Sequence, residues 1–80
     1  MKIELLFFGI VKDIVGKSTS EFRLSNNCSI KQFKAILHEK YPQLADYNSF
    51  SVAVNENYVE DNYQLKDNDI VALIPPVSGG

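Results

Sequence analysis

One helix with clear boundaries, in the middle of the chain, does most to restrict what this sequence can fold into. Ser29-Ile30-Lys31-Gln32 matches a capping box, in which the Ser29 hydroxyl accepts a hydrogen bond from the Gln32 amide and the Gln32 side chain reaches back. Apolar residues follow at helical spacing: Ile30, Phe33, Ile36, Leu37 and Tyr41. Pro42 ends the helix, because the residue before a proline avoids the helical region. A helix with one apolar face needs another element to cover that face.

Short segments with a period of two flank this helix and predict the sheet that covers it. They are Lys2 to Phe8, Thr19 to Leu24, Ser51 to Asn55, Tyr58-Val59 and Ile70 to Ile74. In the first strand the alternation assigns three residues to the core: Ile3, Leu5 and Phe7. It leaves Leu6 and Phe8 partly exposed on the opposite face. In the last strand it separates Val71 and Leu73 from Ile70, Ala72 and Ile74.

The order of these elements predicts an α+β fold. A short helical segment from Gly9 to Gly16 separates the first two strands, and the polar turn Lys66-Asp67-Asn68-Asp69 precedes the last. The layout fits a ubiquitin-like β-grasp, a mixed sheet of four to five strands with one main helix packed on one face, although other two-layer folds share the pattern. We expect a β-grasp domain over residues 1–74 and an extended C-terminal Gly-Gly tail over residues 75–80.

Composition and charge exclude several classes of protein. The chain has a net charge of −2, too mild for a nucleic-acid partner, and no apolar segment long enough to span a membrane. It has one cysteine, Cys28, so no internal disulfide is possible, and we expect a cytoplasmic protein. Residues 51–80 carry one basic and five acidic residues. This acidity predicts partners with a basic docking surface, unless it is only a solvated charged surface.

No ordinary catalytic constellation stands out in the body of the chain. Cys28 and His38 are ten residues apart along one element, roughly 15 Å at 1.5 Å per residue, so they should not meet, and we expect a solvated His38 side chain. Asp67 and Asp69 lie in a polar turn, where solvent-facing or turn-capping roles are more common than paired catalytic carboxylates. We find no metal-ligand spacing and no glycine-rich phosphate loop.

The last six residues offer different chemistry. Pro75 and Pro76 make a stiff root, and the residues after it are small or slender: Val77, Ser78, Gly79 and Gly80. Six extended residues reach up to roughly 20 Å, enough to place a terminal carboxylate in another protein's active site. That carboxylate is a poor electrophile until a partner adenylates it and converts it to an acyl thioester or thiocarboxylate. The alternative is a frayed terminus or a cloning remnant.

These residues together resemble the MoaD family, the ubiquitin-like sulfur carriers that form the small subunit of molybdopterin synthase. The resemblance rests on Leu6-Phe7-Phe8-Gly9, the segment Val11 to Gly16, Ala53-Val54-Asn55 and the segment Leu65 to Gly80. It covers the whole chain. Asn68 departs from the family pattern, in which a glycine is frequent at this position. The departure is small because Asn tolerates the left-handed conformation.

The resemblance implies a sulfur carrier in molybdenum cofactor biosynthesis. A ubiquitin-activating-like, MoeB-like adenylyltransferase would adenylate Gly80 with ATP, and a sulfur donor would convert it to a thiocarboxylate. Residues Pro75 to Gly79 would insert into the MoaE-like large subunit, where sulfur passes to cyclic pyranopterin monophosphate. Family complexes are heterotetramers with the catalytic residues on the large subunit, so this chain would be a non-catalytic sulfur donor with no bound cofactor.

A second set of residues is predicted to bind partners. If Val71 and Leu73 face the helix, Ile74 joins Leu6 and Phe8 on the open sheet face, with Tyr58 beside them. We expect this face to contact both the large subunit and the activating enzyme, unless it is covered within the chain or in a homodimer.

Three other functions remain open on the sequence alone. A β-grasp sulfur carrier could serve thiamine or tRNA thiolation instead. A ubiquitin-like protein modifier or interaction module would use no sulfur chemistry. A plain β-grasp binding domain would have an inert tail.

Overall fold

The strands form one mixed sheet with its first and last members at the centre. The computed structural model describes residues 1–44 and 50–75. Within these ranges the sheet has five strands in the order β2-β1-β5-β3-β4. The strands are β1 (Lys2–Phe7), β2 (Thr19–Arg23), β3 (Ser51–Val54), β4 (Asn57–Tyr58) and β5 (Ile70–Ile74). The helices are α1 (Gly9–Val15) and α2 (Ile30–Lys40), and a 3₁₀ turn follows at Pro42–Leu44. The predicted ubiquitin-like β-grasp is confirmed.

Central β1 and β5 run parallel, with Phe7 opposite Leu73, and the other neighbours are antiparallel. The inner face of the sheet is covered by α2, whose Ile30, Phe33 and Leu37 are buried. The residues predicted for the core from the strands are buried as expected: Ile3, Leu5, Phe7, Val71 and Leu73. Fully burying one such side chain stabilises the fold by about 1.5–3 kcal/mol.

The start and end of α2 follow its local sequence. The Gln32 amide donates to Ser29 Oγ at 3.2 Å, and the Ser29 amide donates to Gln32 Oε1 at 2.9 Å, which confirms the capping box. The helix ends at Lys40, two residues before Pro42. The prediction for Ile36 was wrong, because its side chain is 38% exposed. At about 100° per residue, Ile36 lies about 100° around the helix from the mean direction of the buried stripe.

Five strand boundaries differ from the prediction by one residue: β1, β2, β3 and β4 each end one residue earlier than predicted, and β4 also begins one residue earlier. β1 ends at Phe7 because Phe8 is the N-cap of α1, where its carbonyl accepts from the amides of Val11 and Lys12. β4 begins at Asn57 because Asn55 and Glu56, with φ of 50° and 74°, form a two-residue hairpin turn. Gly16 ends α1 with φ 85°, as expected for a left-handed helix stop. Neither helix in the described ranges has the length and apolarity to span a bilayer.

Candidate functional site

The sheet face opposite α2 carries an apolar depression. Register places Leu6, Ala72, Ala53 and Tyr58 in one row across four strands. The two alanines are small and occupy the middle of the row, so they form a floor between the larger Leu6 and Tyr58 side chains. The depression has a volume of about 600 Å³.

Larger apolar side chains surround this floor. Ile70 and Ile74 flank Ala72 along β5, and Phe8 directly follows the last residue of β1. Tyr58 is 72% exposed, Phe8 46% and Ile70 42%, while Leu6 and Ile74 are half-buried. We name this surface the outer-face depression; it comprises Leu6, Phe8, Ala53, Tyr58, Ile70, Ala72 and Ile74.

The structure brings together the four residues predicted to bind partners: Leu6, Phe8, Tyr58 and Ile74. That they touch a partner remains a prediction. The alternation in β5 already placed Ile70 and Ala72 on this face, yet sequence reasoning left them out of the site. The floor alanine on β3 was missed as well, because its place opposite Ala72 depends on cross-strand register.

The root of the predicted tail lies at the end of this surface. Pro75 follows Ile74 directly and is half-buried. Because β1 and β5 are parallel, the carboxyl end of β5 lies beside the Phe8 end of β1. The other predicted tail residues lie outside the described residues: Pro76, Val77, Ser78, Gly79 and Gly80. A partner seated on the outer-face depression would therefore lie next to the start of the tail.

A polar network fixes the turn that leads into β5. The Asp69 carboxylate accepts from the Lys66 amide at 2.8 Å and from Asn55 Nδ2 at 3.0 Å. Asn55 Oδ1 accepts from the Ile70 amide at 3.1 Å, which ties the same network to the first residue of β5. Asp69 is only 5% exposed, so its expected turn-capping role is confirmed and a solvent-facing role is excluded. It therefore adds little to the acidic surface.

Other acids in the second half of the chain are exposed. Glu56 lines the outer-face depression, and Asp67 accepts from the Lys2 amide at 2.8 Å. Asp61 pairs with Lys34 at 2.9 Å, which offsets its charge locally. The depression thus has one acidic residue, Glu56, at its edge. An acidic edge is complementary to a partner surface that carries basic groups.

Cys28 and His38 do not form a catalytic pair. Cys28 is buried, and burial raises the pKa of its thiol, so the reactive thiolate is disfavoured. His38 is half-buried and stacks on Phe50 with ring centroids 6.3 Å apart, whereas the sequence predicted a solvated side chain. In the part of the chain that the structure describes, no cluster of three His, Cys, Asp or Glu residues could hold a metal.

Comparisons with known proteins match the whole chain. A model of the ThiS family matches residues 5–80. The molybdopterin synthase sulfur carrier subunit of Chlamydomonas reinhardtii is 34% identical over 83 residues, covering 100% of both chains. In a solved protein–protein complex of subunits 1 and 2 of molybdopterin-converting factor from Helicobacter pylori, the similar chain is 33% identical with a TM-score of 0.74, covering 100% of both.

A protein named as a modifier shares this fold. The H. volcanii small archaeal modifier protein 1 has a TM-score of 0.85 at 19% identity, covering 95% of this chain and 98% of that chain. At that identity the similarity shows the fold alone. The fold therefore does not separate a sulfur carrier from a protein modifier.

Proposed function

The chain belongs to the ThiS family, and on that premise we propose that it is the sulfur-carrier subunit of a molybdopterin synthase. One observation carries the proposal: the outer-face depression opens beside Pro75, where the segment leading to Gly79-Gly80 begins. A partner that covers the depression is thereby positioned to receive the tail. Full-length similarity to curated sulfur-carrier subunits supports the same function.

The proposed chemistry takes place at the carboxylate of Gly80. A carboxylate oxygen attacks the α-phosphorus of ATP, and pyrophosphate leaves to give an acyl-adenylate. A reduced sulfur donor then attacks the carbonyl carbon, so a C–S bond forms, the C–O bond to AMP breaks and a thiocarboxylate results. Within the synthase, this sulfur passes to cyclic pyranopterin monophosphate, and water restores the carboxylate.

The role of this chain in the reaction is to dock on its partners and to present the Gly80 carboxylate to them. Activation with ATP belongs to a ubiquitin-activating-like adenylyltransferase, and the groups that catalyse sulfur transfer belong to the large subunit. Pro75 to Gly79 carry no bulky side chain beyond Val77, so they suit insertion into a narrow pocket. Glycine at the last two positions lets the backbone approach the reacting groups closely.

The proposed partners follow from the two steps. The Helicobacter pylori complex of two molybdopterin-converting factor subunits supports a large subunit as the first partner. The adenylyltransferase is the second, because the acyl-adenylate has to form before sulfur can be added. We place both encounters in the cytoplasm, where ATP is available for activation, and expect a heterotetramer with two copies of each synthase subunit.

Intact mass spectrometry tests the carrier function. The chain is incubated with ATP, a ThiS-family activating enzyme and a sulfur source. We expect a mass gain equal to the replacement of one oxygen atom by one sulfur atom. The matched control is a chain without Gly80, which should show no gain. A full-length chain that never gains sulfur would overturn the proposal.

Assays for the reaction products distinguish a molybdopterin sulfur carrier from the alternative functions. A protein modifier would form isopeptide conjugates to lysines and no thiocarboxylate. A carrier for thiamine or tRNA thiolation would gain sulfur but fail to convert cyclic pyranopterin monophosphate with a large synthase subunit. Conversion of the precursor by the charged chain and that subunit would identify the molybdopterin function.

A further inference from the structure

Gly9 and Pro75 lie together just beyond the ends of the central strand pair. Phe7 lies opposite Leu73 in the parallel register of β1 and β5, and two more residues along each chain lead to Gly9 and Pro75. A β-carbon built on Gly9 would lie 2.9 Å from Cγ of Pro75 and 3.8 Å from its Cδ. Carbon atoms in favourable contact are about 3.5–4.0 Å apart. The pyrrolidine ring therefore occupies space that only a glycine leaves open.

The Pro75 ring has little freedom to move away from Gly9 without the backbone, because only a change of ring pucker displaces Cγ independently. Its Cγ and Cδ belong to a ring closed on the backbone nitrogen, which locks φ near −65°. A push on the ring beyond what a change of pucker absorbs therefore shifts the main chain of residue 75. Residue 75 is the first of the tail, so any rotation there changes the direction in which residues 76–80 start.

Gly9 is itself held in place by its neighbours. It has φ 55° at the start of α1. The preceding Phe8 carbonyl accepts from the amides of Val11 at 3.1 Å and Lys12 at 3.3 Å. The Phe7 amide donates to the Ser18 carbonyl at 2.8 Å. Gly9 thus offers a fixed surface, and an added side chain would displace the proline.

We propose that Gly9 is a positioning residue, which directs the tail toward the partner's active site by seating the ring of Pro75. The inference rests on the proposed function, because the tail has to deliver the Gly80 carboxylate. It adds a residue on α1 whose effect on sulfur chemistry passes through Pro75 and requires no contact between Gly9 and either partner.

The test compares two glycines in the left-handed conformation. Gly9→Ala adds a β-carbon against Pro75. Gly16→Ala adds one at φ 85°, where nothing lies within 4 Å, so it carries the same kind of backbone strain without the contact. Gly9→Asn, with Gly16→Asn as its control, keeps a residue that tolerates the left-handed region and so protects the fold. Circular dichroism establishes that each variant is folded.

Thiocarboxylate formation by the activating enzyme, followed by intact mass, is the readout. For Gly9→Ala and Gly9→Asn we expect kcat to fall about tenfold, since small misplacements of reacting groups are costly. KM should change less than about twofold, because the outer-face depression is unaltered. Both Gly16 variants should react at the rate of the unmodified chain. Equal rates for the Gly9 and Gly16 variants would overturn the inference.

A double variant separates the proline contact from strain at Gly9. Pro75→Ala removes the ring atoms that the new β-carbon meets. If Gly9 acts through Pro75, adding Gly9→Ala to Pro75→Ala should lower kcat no further. The same tenfold loss in both backgrounds would assign the effect to strain and overturn the inference. Failure of the unmodified chain to gain sulfur would instead overturn the proposed function, so the two failures are distinct.

Discussion

At the scale of single residues, the turn before β5 depends on one buried carboxylate. Asp69 accepts hydrogen bonds from the backbone of Lys66 and from the side chain of Asn55, and Asn55 in turn accepts from the Ile70 amide. Asn68 completes the turn with φ 69°, a conformation that asparagine tolerates without glycine. These contacts fix where β5 begins and which of its residues face outward.

Replacing Asp69 by alanine should destabilise the fold. The Lys66 amide and the Asn55 side chain would lose a shared, partly buried charged acceptor, which costs about 1–3 kcal/mol in the free energy of unfolding. Urea denaturation measures the change. Asp67→Ala is the matched control, because Asp67 makes a single exposed hydrogen bond to the Lys2 amide. An equal loss in both variants would contradict the assigned role of Asp69.

At the scale of elements, α2 is the part most directly encoded by local sequence. Ser29 and Gln32 satisfy amides at the N-terminus of the helix, and its end falls just before Pro42. Both features depend on interactions within a few residues, so a sequence reader can locate them. The apolar stripe then attaches the helix to the sheet through Ile30, Phe33 and Leu37.

Ser29→Ala should lower the free energy of unfolding by about 1 kcal/mol, because the Gln32 amide loses its acceptor at the helix N-terminus. The measurement is the urea midpoint, with an unchanged slope indicating that only stability has changed. Ser25→Ala in the exposed turn before the helix is the control and should shift the midpoint little. A midpoint for Ser29→Ala that matches the control would disprove the capping role.

The elements also show where prediction from sequence ends. Phe8 continues the alternation of β1, but its carbonyl caps α1 and the strand stops at Phe7. Ile36 fits helical spacing yet lies too far around α2 to be buried. The outer-face depression was predicted at its rim by alternation within strands. Its alanine floor was not, because Ala53 and Ala72 meet only through a register set by the tertiary fold.

At the scale of the whole molecule, the two faces of the sheet differ. α2 covers the inner face, whereas the outer face exposes Phe8, Tyr58 and Ile70 around a small-residue floor. Exposed apolar surface of this kind, next to a segment proposed to be functional, is typical of a binding site. We propose that the inner face serves folding and that the outer face serves partner binding.

Two isoleucines of similar exposure test this division. Ile70 is 42% exposed in the outer-face depression, and Ile36 is 38% exposed on α2. Ile70→Ala should weaken binding of the large subunit and of the activating enzyme by about 1–2 kcal/mol, as removal of a contact residue does. Ile36→Ala should leave both affinities unchanged. Isothermal titration calorimetry measures the binding.

Phe8→Ala extends the same comparison to the rim of the depression beside the tail. It should weaken the binding of both partners as Ile70→Ala does. Partner affinities that stay unchanged in a folded Phe8→Ala chain would refute the binding role of this face. So would equal weakening by Ile70→Ala and Ile36→Ala.

The parallel pairing of β1 with β5 also has a consequence during synthesis on the ribosome. β1 is made first, but its central neighbour follows every other strand in the sequence. A nascent chain that stops short of Ile70 lacks the middle of its sheet and cannot bury the core. Such a fragment would stay unfolded and open to degradation. The sheet is therefore complete only when β5, the strand that immediately precedes the tail, has been made.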